Sequence, residues 1–253
     1  MKVLRDTRLV FLRYFSILIH NPAWVVIGLL QPLLYLILFA PLLKSIARTP
    51  GFPPGGAYNV FVPGLLIQLG LFGAAGVGFA LIAELREGVI ERLRVTPISR
   101  LSLLLGRALR DILTLLVQSV MLIVCALPFG LTITLSGALI TLALVALIGL
   151  LMASVSYAVA LWLRDENSFA PLIFTSTLPI LLLSGVLLPL TLAPGWLRTI
   201  SYFDPLRYAV DAARHLFNNQ IANGTVVGGV ALMAVLAAIA VTVAARQFGR
   251  AIA

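Results

Sequence analysis

The sequence predicts an all-α integral membrane protein with about six transmembrane helices, and three observations predict it. Of 253 residues, 61% are hydrophobic and 11% charged, with a mean hydropathy of +1.08. A soluble domain carries roughly 25% charged residues, so water alone cannot solvate this surface. Six apolar runs reach the ~20 residues a spanning helix needs: 23–43, 60–82, 103–129, 135–163, 169–190 and 226–245. Basic residues are spread unevenly between these runs. With both termini inside, five of the 18 fall outside (Lys44, Arg48, Arg198, Arg207 and Arg214), and the other thirteen fall inside. The positive-inside rule therefore places the N- and C-termini in the cytoplasm. The net charge of +9 comes from residues lying between apolar runs and forms no continuous basic face, which argues against nucleic acid as a partner.

Residues 1–20 precede the first run and read as an interfacial helix. At 100° per residue Lys2, Arg5, Asp6, Arg8 and Arg13 share one arc, with Leu4, Val10, Phe11, Tyr14, Phe15 and Leu18 opposite. Leu9 and Leu12 break the pattern. Such a helix lies in the headgroup plane, and Asn21-Pro22 turns the chain into the membrane. The first apolar run is long enough to span, so a cleaved leader is not expected. Residues 44–59, rich in Pro and Gly, form an irregular outer loop. In the second run Gly70, Ala74 and Gly78 are spaced by four, and small residues on one face allow close helix contact.

The segment 84–100 is charged and cytoplasmic. Glu84, Glu87 and Glu91 follow i, i+3, i+7 spacing and share one face if helical. Val95-Thr96-Pro97 ends that helix, and Thr96 with Pro97 starts the next. Arg164, Asp165, Glu166 and Asn167 make a short turn between two spans. Residues 189–218 hold too many charges and prolines to cross a bilayer, and read as short outer helices that dip in and return. There Asp204-Pro205 is an N-cap with Pro at the first position, and Arg207, Asp211 and Arg214 sit at i, i+4 and i+3 spacings.

Several chemistries are missing. A P-loop needs Gly-Lys, but the two lysines, Lys2 and Lys44, follow Met1 and Leu43. Any ATP that drives this chain is bound elsewhere. His20 and His215 are far apart, and no zinc motif or nucleophile elbow is present. The nine acids avoid mid-span positions; Asp111, two turns into the third run, pairs with Arg107 or Arg110. Ion-coupled transport is therefore disfavoured. The chain is therefore not read as an enzyme, and no metal or cofactor of its own is expected.

Two segments carry a family resemblance. Glu87-Gly88-x-x-Glu91-Arg92-Leu93-x-x-Thr96-Pro97-x-Ser99-Arg100 resembles the stretch after the second span in membrane subunits of type-2 ABC exporters. Ser184-Gly185, Pro189, Pro194-x-Trp196-Leu197, Pro205-Leu206-x-Tyr208-Ala209 and Asp211-x-x-Arg214 are similar to the family's signature before its last helix. The nearest look-alikes are daunorubicin-type drug-efflux permeases. The resemblance implies a bacterial or archaeal plasma-membrane permease that pairs with a second copy and with two ATP-binding-cassette subunits, which hold ATP and magnesium. It implies that residues 1–20 are the family's elbow helix and 84–100 its coupling segment. The ATPase contact would then use Glu84, Glu87, Gly88, Glu91, Arg92, Leu93, Thr96 and Pro97, and a second contact Arg164, Asp165 and Glu166. The outer gate would use Gly185, Pro189, Pro194, Trp196, Pro205, Tyr208, Asp211 and Arg214.

The polar and aromatic side chains within the spans suggest a pathway for amphipathic or hydrophobic molecules, with Tyr35, Phe39, Gln68, Phe72, Phe79, Phe174 and Thr175 as candidate lining. Drugs are the first expectation. Lipids or lipid-linked glycans are the rival substrates, and a non-transporting anchor subunit is the rival class.

Overall fold

The computed structural model describes residues 2–20, 23–39, 41–42, 47, 52, 55–88, 100–187 and 189–251. Its helices are α1 (Lys2–His20), α2 (Ala23–Leu38), α3 (Gly56–Ala75), α4 (Gly78–Arg86), α5 (Arg100–Ala126), α6 (Leu135–Leu163), α7 (Glu166–Leu183), α8 (Gly195–Ser201), α9 (Pro205–Phe217) and α10 (Gly224–Ala251). Among the described residues there is no strand, as the fold class requires. Lipid offers the backbone no partners, so the chain satisfies its own amides within helices.

Five stretches are long and apolar enough to cross a bilayer: Gly56–Arg86, Ser102–Phe129, Leu135–Leu163, Glu166–Leu183 and Gly224–Phe248. The expected first span, 23–43, is described over residues 23–39, with α2 ending at Leu38, and 41–42. The 16 residues of α2 rise about 24 Å, short of a ~30 Å hydrocarbon core. Its Val26, Ile27, Leu30, Leu34 and Ile37 are exposed, as a lipid-facing stripe would be.

Local chemistry sets the other boundaries. Asp165 caps α7, its carboxylate accepting the Ser168 N–H at 2.9 Å, so this helix starts three residues before the expected 169. It stops at Leu183, short of the expected 190, because Gly185 adopts a left-handed φ of 75°. Thr134 caps α6 and Asp204 caps α9. Asn223 accepts the Thr225 N–H at 3.0 Å at the start of α10.

The central element is α3, whose residues Ala57–Leu71 are buried throughout. Around it stand α2, α5, α6, α7 and α9. Apolar contact between spans gains little in lipid, so close approach carries the packing. Gly70 faces Ile148 of α6, and Gly73 and Gly149 both receive Leu115 of α5, so the small-residue stripe is used within the chain.

The helix Gly56–Arg86 is interrupted at Gly76-Val77. Ser156 of α6 repairs the break: its hydroxyl donates to Ala75 O at 2.6 Å and accepts the Gly78 N–H at 2.9 Å. A Cβ at Gly78 would collide with the Phe169 ring, so glycine permits this approach.

The first helix packs along α5 through Val10, Tyr14 and Leu103. Arg5, Arg8 and Arg13 are exposed, but Asp6 is 4% exposed. Asp6 is therefore not among the headgroup-facing charges, where the sequence predicts it. The 100° wheel groups neighbours, but the buried row is Asp6, Val10 and Tyr14 at i, i+4, i+8. Leu9 and Leu12, 58% and 46% exposed, point away from the bundle.

Candidate functional site

One end of the bundle gathers a buried polar chain. The Tyr14 hydroxyl of α1 donates to Glu84 Oε2 of α4 at 2.9 Å. Arg107 of α5 forms an ion pair with the same oxygen, and its guanidinium lies 4.9 Å from the Tyr14 ring centroid. One helical turn on, Arg110 Nη2 reaches Asp111 Oδ1 at 2.7 Å, and the Tyr157 hydroxyl of α6 donates to the other oxygen of that carboxylate. The Arg107 side chain is 3% exposed, and a buried charge costs several kcal/mol unless paired, so Glu84 is required where it stands. Burial pushes the Tyr14 hydroxyl up to about 12, which keeps it a donor at neutral pH.

Arg86 extends this end to the next turn of chain. Its two guanidinium nitrogens reach Asp165 Oδ1 and Glu166 Oε1, each at 3.3 Å. The Ser168 hydroxyl and N–H hold the Asp165 carboxyl below the usual range. Arg164, at φ 53°, folds its Nε back to Leu161 O at 3.2 Å. Of the expected contact residues, Glu84 therefore faces inward, while Glu87 is exposed at the end of α4. Gly88 has φ 68°, so helix does not run unbroken from Glu84 to Glu91. Glu91, Arg92, Leu93, Thr96 and Pro97 lie outside the described residues.

A cleft of about 510 Å³ opens on the flank of the bundle between α2, α3, α4, α5 and α7. Four of the seven candidate pathway residues line it: Gln68, Phe72, Phe79 and Phe174. Gln31 and Gln118 add amides, and Arg110 with Asp111 forms its charged wall. Gln68 is 2% exposed, and its Oε1 has no hydrogen-bond partner among the described residues. Phe79 joins the aromatics, with its ring centroid 4.8 Å from Phe169 and 6.4 Å from Phe174. Tyr35 and Phe39 belong to a different group: their rings meet edge-on at 5.8 Å and Phe39 stacks with Phe61 at 6.5 Å, while Thr175 is exposed on α7.

The opposite end is built around Arg214. Its Nε donates to Val60 O at 3.1 Å and its Nη2 to Gly185 O at 2.7 Å. These bonds tie α9, α3 and the turn after α7. Burial lowers Arg214 to about 10, still positive at neutral pH, and raises the carboxyl of Asp211. Of the expected outer-gate residues, Pro189, Asp211 and Arg214 line one cavity. Pro194 and Pro205 start α8 and α9, Trp196 is 66% exposed, and the Tyr208 hydroxyl donates to Tyr202 O at 3.1 Å. Asn59, not singled out by the sequence, clamps this end: its Nδ2 donates to Thr132 O and Phe217 O, each at 3.1 Å. An Asn at the edge of an apolar run was the available signal.

These features define an α-helical, multi-pass membrane protein with a polar cleft in its flank and charged anchors at both ends. Residues 5–218 match the family described as ABC-2 type transporter, and the chain belongs to that family. It is thus a transport-permease membrane subunit, of a kind that works with a separate ATP-binding subunit. The chain is 29% identical to the transport permease ycf38 of Porphyra purpurea over 88% of this chain and 78% of that protein. It is 30% identical to the ycf38 permease of Pyropia yezoensis over 79% and 69%. It is 24% identical to the doxorubicin resistance ABC transporter permease protein DrrC of Mycobacterium tuberculosis over 75% and 68%.

Proposed function

We propose that this chain is the pathway subunit of an ATP-driven exporter for amphipathic or hydrophobic molecules, drugs first among them. The observation that carries the reading is the flank cleft, where aromatic rings and amides meet one ion pair. Such a lining suits a flat, partly polar molecule better than a small ion. The doxorubicin resistance for which DrrC is named supports a drug substrate. In this reading two copies pair in a bacterial or archaeal plasma membrane with both termini and the Glu84–Arg86 end in the cytoplasm. Two ATPase subunits holding ATP and magnesium dock on 84–100 and on Arg164, Asp165 and Glu166. ATP-driven closure of the ATPases moves the docked segments and switches access to the cleft. Residues 189–218 close the far side.

The test is doxorubicin-stimulated ATP hydrolysis by the reconstituted complex. Phe72→Ala with Phe174→Ala should raise the half-saturating drug concentration about tenfold, the worth of two aromatic contacts, and leave that of ATP unchanged. Unaltered stimulation removes the cleft from the pathway. Glu91→Arg with Leu93→Asp should abolish ATPase binding, and persistent binding sinks the docking assignment. A lipid substrate is the second reading, favoured because Ile27 and Phe174 at the cleft are 58% and 47% exposed on the flank. Flipping of a fluorescent lipid without drug stimulation would select it.

A further inference from the structure

The Arg214 end holds a second cavity of about 330 Å³, lined in part by Arg198, Arg207, Asp211, Arg214, His215 and Asn218. Three guanidiniums thus face one carboxylate. Asp204 is the only other acid in this part of the chain, and it caps α9 by accepting the Leu206 N–H at 3.0 Å. The remaining acids are Asp6, Glu84, Glu87, Glu91, Asp111, Asp165 and Glu166. Asp6, Glu84, Asp111, Asp165 and Glu166 stand at or near the opposite end, as does Glu87 at the end of α4, and Glu91 lies outside the described residues. Residues 40–54 hold Lys44 and Arg48 and no acid, so they cannot neutralise the cavity.

Apart from the Arg207 Nε–Asp211 Oδ2 ion pair at 3.8 Å, the arginines are held by neutral acceptors, which fix geometry without cancelling charge. Arg214, 8% exposed, is anchored on two carbonyls. Arg207 stacks over the Tyr202 ring at 4.0 Å and donates to Ser201 Oγ at 2.7 Å and Arg198 O at 3.1 Å. Arg198 donates to Thr191 O at 2.9 Å. Preorganised guanidinium donors with surplus positive charge match the oxygens of a phosphate. Beside them the α8 segment exposes Trp196 (66%) and Ile200 (45%), and the turn after it Phe203 (88%). An aromatic, apolar face of this kind sits in the lipid interface. We infer that the cavity binds the phosphate-type head group of an anionic amphiphile, with the α8 segment taking its apolar part. This site is separate from the flank cleft and needs no ATPase.

Native mass spectrometry of the full chain in nanodiscs of phosphatidylcholine with some phosphatidylglycerol tests it. The wild type should retain phosphatidylglycerol selectively. Arg198→Gln with Arg207→Gln should bind it about tenfold more weakly, the loss of a charge-assisted hydrogen bond's worth of affinity. Arg198→Lys with Arg207→Lys should recover most of the binding, which separates lost charge from lost fold. Inorganic phosphate is the second probe. Competition by it shows that the phosphate alone is read, while retention against it shows that the lipid anchor is read as well; either supports an anion site. Equal retention of the two lipids by the wild type, or unchanged phosphatidylglycerol binding in the Gln variant, overturns the inference.

Discussion

Both ends of the bundle bury an arginine, and they satisfy it in opposite ways. At one end Arg107 meets a carboxylate, Glu84, and the neighbouring arginines do the same: Arg110 with Asp111, Arg86 with Asp165 and Glu166. At the other end Arg214 is bonded to the carbonyls of Val60 and Gly185, and the arginines outnumber the acids. Paired charges make a neutral, orientation-specific joint between helices. Carbonyl-held charges keep their field and leave it available to a ligand.

The largest expected effect follows from breaking the paired end. Glu84→Gln leaves Arg107 buried without a counter-charge and should cost about 4 kcal/mol in denaturant unfolding from detergent micelles. Replacing both residues by Met should restore stability to within about 1 kcal/mol, since the pair contributes through its mutual compensation. Next comes Arg214→Met, which orphans two buried carbonyls and should cost about 3 kcal/mol by the same measurement. Arg214→Lys should recover only part of this, because one ammonium cannot span both acceptors as the planar fork does.

A smaller effect is pH-dependent. Burial raises Asp204 from 3.8 to about 6, so the folded chain binds that proton more tightly than the unfolded chain. Its contribution to stability is fully present below 3.8 and is lost as pH rises through about 6. The thermal midpoint of the wild type should fall across that window relative to Asp204→Asn; parallel curves would reject the assignment. The smallest effect is expected at Arg86, whose pairs are half exposed. Arg86→Gln should leave the thermal midpoint unchanged while weakening drug-stimulated ATP hydrolysis in the complex. A midpoint loss like that of Glu84→Gln would show that the pair holds the fold itself.

Hydropathy made the long helices legible, and α6 runs from Leu135 to Leu163 where the apolar run does. The caps were legible too, since Asp204-Pro205 is a local signal. Asp111 could be placed beside Arg110 because i, i+1 and i, i+4 neighbours on one helix are visible in the sequence. Glu84 could not be placed. The spacing of Glu84, Glu87 and Glu91 says that a face is shared but not what that face meets, and here Arg107 and Tyr14 arrive from two other helices. The same holds for the cleft. Gln68, Phe72, Phe79 and Phe174 were recognisable as unusual span residues, but Tyr35 and Phe39 have the same character and pack elsewhere. Composition identifies side chains that can line a path, and tertiary packing chooses among them.

The interruption at Gly76-Val77, bridged by one serine hydroxyl, has a mechanical consequence. An unbroken rod from Gly56 to Arg86 would carry a push straight along its axis into the centre of the molecule. This one has a knuckle, and Ser156 serves as its pin, keeping the Ala75 carbonyl and the Gly78 amide bonded at the break. A bend at this knuckle would carry Phe79, two residues past Val77, with α4 along the cleft wall, so a push at Arg86 would reach the cleft before the centre of the molecule.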